Sequence, residues 1–285
     1  MPGICWASPA TEDKETMDKK FVGLGLVAGL AGGTAAFALA RWQVTPAITS
    51  AIEYEEGRSA AEAAVTGEHA HSHEVFSRAL QENIGAGVAT VAFGVIMGAL
   101  FAVAFSLVWT YLRRRNRGVQ PRAIAVGIAG AGFVSMCLLP FLAFPANPPG
   151  VGNHETLGDR TSSYLLLTVL SVVVAVVAFI AASRLTAKVS GFGAAVIGSA
   201  GYLVTMAVVI ALLPSFDEAP QALADHTGAL VFPGFPARVL SDFRLYSVLS
   251  QAAMWAVIGV VFAALIGRSP SHRSPVPNHV TAVTV

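Results

Sequence analysis

Residues Asn83–Arg122 read NIGAGVATVAFGVIMGALFAVAFSLVWTYLRRRNRGVQPR. Asn83–Leu112 carries no charged side chain, and Arg113, Arg114, Arg115, Arg117 and Arg122 follow directly. The run exceeds the roughly 20 apolar residues that a bilayer crossing needs. Backbone amides have no water to bond inside lipid, so the run must be a helix that satisfies its own. A dense arginine cluster at one end marks a link held in the cytoplasm.

Working outward, five further uncharged stretches have comparable length: Phe21–Ala40, Ala123–Asn153, Thr161–Ser183, Val189–Phe216 and Leu245–Gly267. The second and fourth of these end in proline-rich sequence and trim to Ala123–Phe144 and Phe192–Leu213. The short alternating segments that build a β-barrel are not visible in the sequence. Composition agrees, with 54% of residues apolar and 12% charged, about half the charge of a soluble domain. The fold class is therefore all-α, a polytopic integral membrane bundle of six transmembrane helices.

Charge along the chain sets the expected orientation. With Arg113–Arg122 inside, alternation places both termini and the link bearing Arg184 and Lys188 in the cytoplasm. Lys14, Lys19, Lys20, Arg268 and Arg273 then lie inside as well. Arg41, Arg58, Arg78, Arg160, Arg238 and Arg244 fall outside, with thirteen of the seventeen acids. The formal net charge of +1 hides this segregation. Residues 1–20 form a cytoplasmic tail, 21–267 the transmembrane domain, and 268–285 a Ser/Pro-rich cytoplasmic tail expected to be disordered. A bacterial inner or plasma membrane is the expected location, and the lipid bilayer the first partner.

The first span has a competing reading. Lys19-Lys20 followed by an apolar run ending Ala38-Leu39-Ala40 resembles a secretory signal. The run is longer than the usual signal core, and Gly25, Gly29 and Gly33 form a small-xxx-small ladder that lets helices pack closely in lipid. A retained helix is the favoured reading. Met17-Asp18-Lys19-Lys20 reads as a natural start, so Met1–Thr16 is expected to be a disordered extension or a misplaced start site. Cys5 and Cys137 cannot build a disulfide framework.

The sequence lacks GxxxxGK[ST], G-x-S-x-G, H-E-x-x-H and C-x-x-C, so ATPase, hydrolase and redox readings lack their usual signatures. The chain is read as a non-enzyme without tightly bound cofactor, and with no nucleic-acid partner. Its chemistry concentrates in the external segment Arg41–Glu82, which holds seven acids against three bases. Glu53, Glu55, Glu56 and Glu62 precede Glu68-His69-Ala70-His71-Ser72-His73-Glu74. On an extended backbone the three imidazoles share a side. In a helix His69 and His73 share a face and His71 points away. Imidazole suits cobalt, nickel, zinc and copper, and carboxylates complete the shell and compensate charge. A solvated polar loop without a ligand remains the bland alternative. Ala51–Ala64 reads as a short surface helix with Gly57 its weak point. There Glu53 and Glu56 share a face, either as a cation entrance or as an ordinary solvated surface.

In the external link Leu139-Pro140-Phe141-Leu142-Ala143-Phe144-Pro145-Ala146-Asn147-Pro148-Pro149, Pro140 is expected to kink the third helix. The freed carbonyls would line an ion path, unless the segment is only a rigid helix stop. Asp159 and Arg160 are read as positioning the entry to the fourth span. No span core carries Asp, Glu, Lys, Arg or His, although intramembrane charges usually mark ion pathways. The softer candidates are Met97, Met136, Cys137, Met206, Gln251 and Met254. Met136–Cys137 with Gln251–Met254 would make a weak transit site. Core packing is the simpler reading of each methionine, and interhelical hydrogen bonding that of Gln251.

Glu55-Glu56, the HAHSHE segment (69–74), Ser77-Arg78 with Gln81, PFLAFPANPPGVGNHET (140–156) and Arg160-Thr161 resemble the CbtA family of predicted cobalt transporter subunits. FPARVLSDFR (235–244) is similar to the approach to that family's last span. The resemblance covers Met17 to about Gly267. It implies cobalt uptake linked to cobalamin metabolism, and a small partner, CbtB, with histidines of its own. It also implies the five spans commonly counted for the family, where the charge pattern here gives six. The family often has Asn before Glu where this chain reads Phe216-Asp217-Glu218, and Asp217 still supplies an oxygen ligand.

The resulting candidate metal ligands are His69, His71, His73, Glu55, Glu56, Glu74, His154, Glu155, Asp217 and Glu218. The expected cargo is Co2+, with Ni2+ or Zn2+ as alternatives, and a homo-oligomer is an open expectation. Two rivals remain beside a permease subunit. One is a membrane-anchored metal-binding or sensing protein that hands ions to a separate permease. The other is a polytopic scaffold whose histidine loop binds nothing.

Overall fold

The structure, a computed structural model, describes residues 9–67, 84–116, 118–149, 151–152, 156–216 and 219–268, with side chains from residue 19 onward. Six helices are long and apolar enough to cross a membrane. They are α1 (Pro9–Thr66), α2 (Ala86–Arg115), α3 (Pro121–Ala143), α4 (Leu157–Leu185), α5 (Gly191–Leu212) and α6 (Ala237–Gly267). Each contains one of the six expected spans, give or take the few residues by which helix ends are uncertain. Among the described residues the strands are two, β1 (Leu223–Ala224) and β2 (Leu230–Phe232), paired antiparallel. The links α2–α3 and α4–α5 lie at an arginine-rich end, and α3–α4 and α5–α6 at a proline-rich end.

α1 is clasped between α2 and α6, and α3 packs on α6. The α1–α2 approach is a meeting of backbones. A Cβ on Gly98 would strike the Gly25 carbonyl and lie 2.6 Å from the Gly29 Cα, and one on Gly94 would lie 2.5 Å from the Gly33 Cα. The glycine ladder read from the sequence is thus met by Gly94 and Gly98 on the facing helix. Lipid is as apolar as leucine, so close dispersion contact rather than water exclusion is what holds such helices together. On the other side of α1, Gly32 faces Ile258 and the Met254 carbonyl of α6. Phe101, Phe105 and Phe262 fill the remaining core edge to face, with centroids 4.8 Å apart for Phe105–Phe262 and 5.1 Å for Phe101–Phe262.

α4 and α5 form a hairpin packed on itself and on the outer half of α3. Ser190 starts α5 by accepting from the Gly193 N–H at 3.1 Å, a standard N-cap arrangement. Midway, the Ser171 and Tyr202 hydroxyls pair at 2.7 Å. At the arginine-rich end Tyr111 of α2 meets Ser183 of α4, Oη to Oγ, at 2.8 Å.

Two features differ from the sequence expectation. α3 contains a π-helical stretch, Val134–Leu138, before Pro140. Proline has no N–H for the carbonyl four residues back. A π-turn re-registers the ladder there, as when the Leu139 N–H reaches the Val134 carbonyl. The second difference is that the first span does not end at Ala40. α1 runs without interruption from Pro9, within the Met1–Thr16 extension, through Pro46 to Thr66, so Ala51–Ala64 is not a separate surface helix. Lys19–Thr66 alone is 48 residues, about 70 Å at 1.5 Å per residue, against a hydrocarbon thickness of about 30 Å. Leaving the membrane does not end a helix that still has something to pack on. Val44 and Ala47 pack against Phe243 near the start of α6. The stop comes at Gly67, whose φ of +76° is the left-handed conformation favoured just past a helix C-terminus.

Candidate functional site

The proline-rich end is built by overhanging helices. Beyond Ala51 the α1 overhang carries the β1–β2 hairpin. Tyr54 stacks on Phe232 and Phe235, with centroids 5.3 Å and 4.9 Å away, and its hydroxyl donates to the Pro233 carbonyl at 2.9 Å. Arg58 donates to the Gln221 carbonyl at 2.6 Å and pairs with Glu62 at 2.8 Å. Gly57 is where the Phe232 ring sits: a Cβ there would come within 3.0 Å of it. The turn of the hairpin is closed by Asp225. Its Oδ1 accepts from the Thr227 hydroxyl at 2.6 Å and from the Thr227 and Ala229 N–H groups at 2.8 and 2.9 Å. Those bonds, the Thr227 hydroxyl first, hold its carboxyl below the ordinary carboxylate range.

Glu53, Glu55 and Glu56 are exposed on the α1 overhang, and Glu62 is engaged by Arg58. His69, His71, His73, Glu74, His154, Glu155, Asp217 and Glu218 lie outside the described residues. Among the described residues no three His, Cys, Asp or Glu side chains converge as a metal site. What the structure does show for the histidine segment is its anchor. It follows Gly67, at the tip of a helix braced by the hairpin.

Beside this platform, where α3, α4, α6 and the α5–α6 link meet, is a cavity of about 280 Å³. Arg160 of α4, Arg244 of α6 and Asn147 line it, with Phe144, Phe216 and Leu240 among its apolar walls. Arg160 donates to the Pro145 carbonyl. Arg244 donates to the Ala146 carbonyl at 3.3 Å and to Asn147 Oδ1 at 2.9 Å. The carbonyls expected to line a cation path are therefore bonded to guanidinium groups. Pro140 itself is buried, and its carbonyl accepts from the Phe144 N–H at 2.9 Å.

Deeper in the bundle, the π-helical stretch brings Cys137 to α6. The Trp255 indole N–H donates to its Sγ at 3.4 Å, and the thiol reaches Gln251 Oε1 at 3.8 Å. Cys137 and Gln251 thus meet, as the soft transit site required, and Gln251 also serves as an interhelical bonder. Met97 and Met254 are buried in the apolar core, and Met206 packs with Leu167 and Tyr202. Every buried side-chain polar atom among the described residues has a partner.

Comparison with protein families matches residues 18–267, all six spans, to CbtA, described as a probable cobalt transporter subunit. The chain belongs to the CbtA family. Comparisons with curated proteins and with solved structures give no match.

In this CbtA chain, sequence reading missed the pairing of Arg160 with Arg244. Both flank spans, where arginine is ordinarily a sign of topology or a lipid anchor. Their convergence depends on how α4 and α6 pack, which no local pattern encodes. The nearest sequence signal was the proline-rich link between α3 and α4, whose carbonyls, unable to continue a helix, need donors from elsewhere.

Proposed function

We propose that this CbtA chain is the membrane subunit of a divalent cobalt uptake system in a bacterial plasma membrane. The arginine-rich end faces the cytoplasm, and the His69–Glu74 segment captures the ion outside. The family match across all six spans carries the reading. The positive-inside rule supports the orientation, and the braced α1 overhang supports a capture segment held clear of the bundle. Glu55 and Glu56 on that overhang supply nearby oxygen ligands. A free imidazole loop does not select by geometry, so nickel and zinc compete at this step.

Neutral imidazole binds metal and imidazolium does not. With an unperturbed pKa of about 6.5, capture weakens as external pH falls from about 7.5 to about 5.5, while carboxylates stay ionised. Cobalt uptake into vesicles, measured against concentration at both pH values, tests this. Replacing His69, His71 and His73 together by Ala raises KM and leaves the maximal rate nearly unchanged. An unaltered KM with the same pH response would remove the histidines from the reading.

A specific observation supports the rival in which the chain hands ions to a separate permease. The core between α1, α2 and α6 is Phe101, Phe105, Met254, Ile258 and Phe262, which offers a dehydrated divalent ion no ligand. Vesicles holding this chain alone then show no uptake, and adding the small CbtB-like subunit restores it.

A further inference from the structure

We propose that the cavity between Arg160 and Arg244 is an anion site, and that its ligand is a phosphate group. Two guanidinium groups line one small cavity, and no carboxylate lines it among the described residues. They are close enough for the charge of Arg160 to act on Arg244. The oxygens that hold Arg244, from Ala146 and Asn147, are neutral, so they orient its fork without cancelling its charge. Like charges gathered in a partly desolvated pocket repel unless an anion lies between them. Guanidinium presents planar paired donors that match phosphate oxygens. A cavity of about 280 Å³ is too small for most drug-sized ligands but admits one phosphate group with its water.

The same geometry argues against the cavity as the entrance for a free divalent cation. It lies beside the candidate capture segment without being part of it, so the inference stands or falls apart from cobalt uptake. The phosphate has two sources, free phosphate and a lipid headgroup, because the cavity sits where α4 and α6 reach the end of the bundle. Asp217 and Glu218 stand in sequence between the lining residues Phe216 and Ala219, which makes the chain's own carboxylates the rival ligand.

The test uses the full chain in neutral detergent without cobalt, following thermal unfolding during titration with inorganic phosphate or with phosphatidylglycerol. Sodium chloride at matched ionic strength controls for general screening. Phosphate or the lipid raises Tm where chloride does not, and whichever acts at lower concentration names the source. Arg244→Gln weakens that response about tenfold or more, while Arg238→Gln, an exposed position on the same helix, leaves it intact. Arg244→Gln also loosens the Ala146–Asn147 turn, so Asn147→Asp provides a second variant that keeps the fold. It places a carboxylate against Arg244, raises the starting Tm and abolishes the response to added phosphate. A wild type that answers phosphate and chloride alike would overturn the proposal. So would a response that survives Arg244→Gln or Asn147→Asp. If phosphate acts only after Asp217→Asn and Glu218→Gln are introduced, the chain's own carboxylates are the ligand and the proposal fails.

Discussion

The α1–α2–α6 core and the α4–α5 hairpin cross the same membrane but are held by different means. In the spans of α1, α2, α3 and α6 about a third of the residues are buried inside the protein, and in α4 and α5 only 11%. The core has almost no polar bonds and is held by shape: glycine on glycine between α1 and α2, and interlocked phenylalanine rings between α2 and α6. The hairpin turns rows of exposed apolar residues outward, among them Leu165, Val169, Val173 and Val177 on α4 and Val196, Val204 and Val208 on α5. It is fastened at separate points by Ser171–Tyr202 and Tyr111–Ser183. Where the surroundings are as apolar as the interior, a helix stays either because backbones meet or because hydrogen bonds pin it.

The largest effect is expected where backbones meet. Gly98→Leu places a side chain against the Gly25 carbonyl, and neither backbone can yield locally. Overpacking a well-packed core costs about 1–3 kcal/mol, and a clash with backbone should reach at least the top of that range. Gly201→Leu on α5 meets nothing within 4 Å and should change unfolding in detergent by less than about 0.5 kcal/mol. Equal losses in the two variants would break the comparison, because the hairpin would then be as tightly packed as the core.

Much of this contrast was legible beforehand, and the reasons are local. Uncharged length alone marks a span, since lipid tolerates no other backbone than a self-satisfied helix. Gly25, Gly29 and Gly33 advertise a close approach by their spacing. The partner glycines Gly94 and Gly98 repeat that spacing on the next helix, although only the packing shows which surfaces meet. The α1 overhang was read as a loop and a short helix because Arg41 and Pro46 look like an exit and a stop. Helix continuity there depends on Phe243 and Phe232, far away in sequence, packing on Val44, Ala47 and Gly57. The Arg160–Arg244 cavity was illegible for the same reason. The candidate metal ligands of the histidine segment, chosen by residue chemistry, have a known anchor at Gly67.

A smaller effect separates the two regions more finely. Tyr202→Phe removes the hydroxyl that pairs with Ser171 between α4 and α5. Ser171 is fully buried, so its hydroxyl loses its partner with no water to replace it. Interhelical hydrogen bonds in membranes contribute about 0.6 kcal/mol on average and about 1.7 at most. This one should lie in the upper half of that range. The loss should appear as faster hydrogen exchange confined to α4 and α5, with the amides of α1 and α2 unchanged. Exchange that accelerates throughout would mean that the hairpin and the core open as one unit.

The smallest effect concerns the pin at the arginine-rich end. Tyr111→Phe deletes the hydroxyl that meets Ser183, yet leaves most of the joint in place. The ring still packs on Phe179, 6.0 Å between centroids, and under the Arg115 guanidinium at 4.8 Å. Arg115 still donates to the Ser183 carbonyl at 3.1 Å, and the Ser183 hydroxyl keeps the Ile180 carbonyl as acceptor at 2.7 Å. No buried group is orphaned, so the cost should be that of one exposed bond, about 0.5 kcal/mol. Tyr111→Ala removes the ring as well, including the cation–π contact worth about 0.5–1 kcal/mol at exposed sites, and should cost two to three times as much. Unfolding of the two variants, with Arg115→Gln in each background, separates the hydroxyl from the ring. If Tyr111→Phe matched Tyr111→Ala, the hydroxyl would be the whole joint, and the hairpin would hang on α2 by a single bond. If neither had an effect, the hairpin would be held by α3 alone, and the contrast with the core would be sharper still.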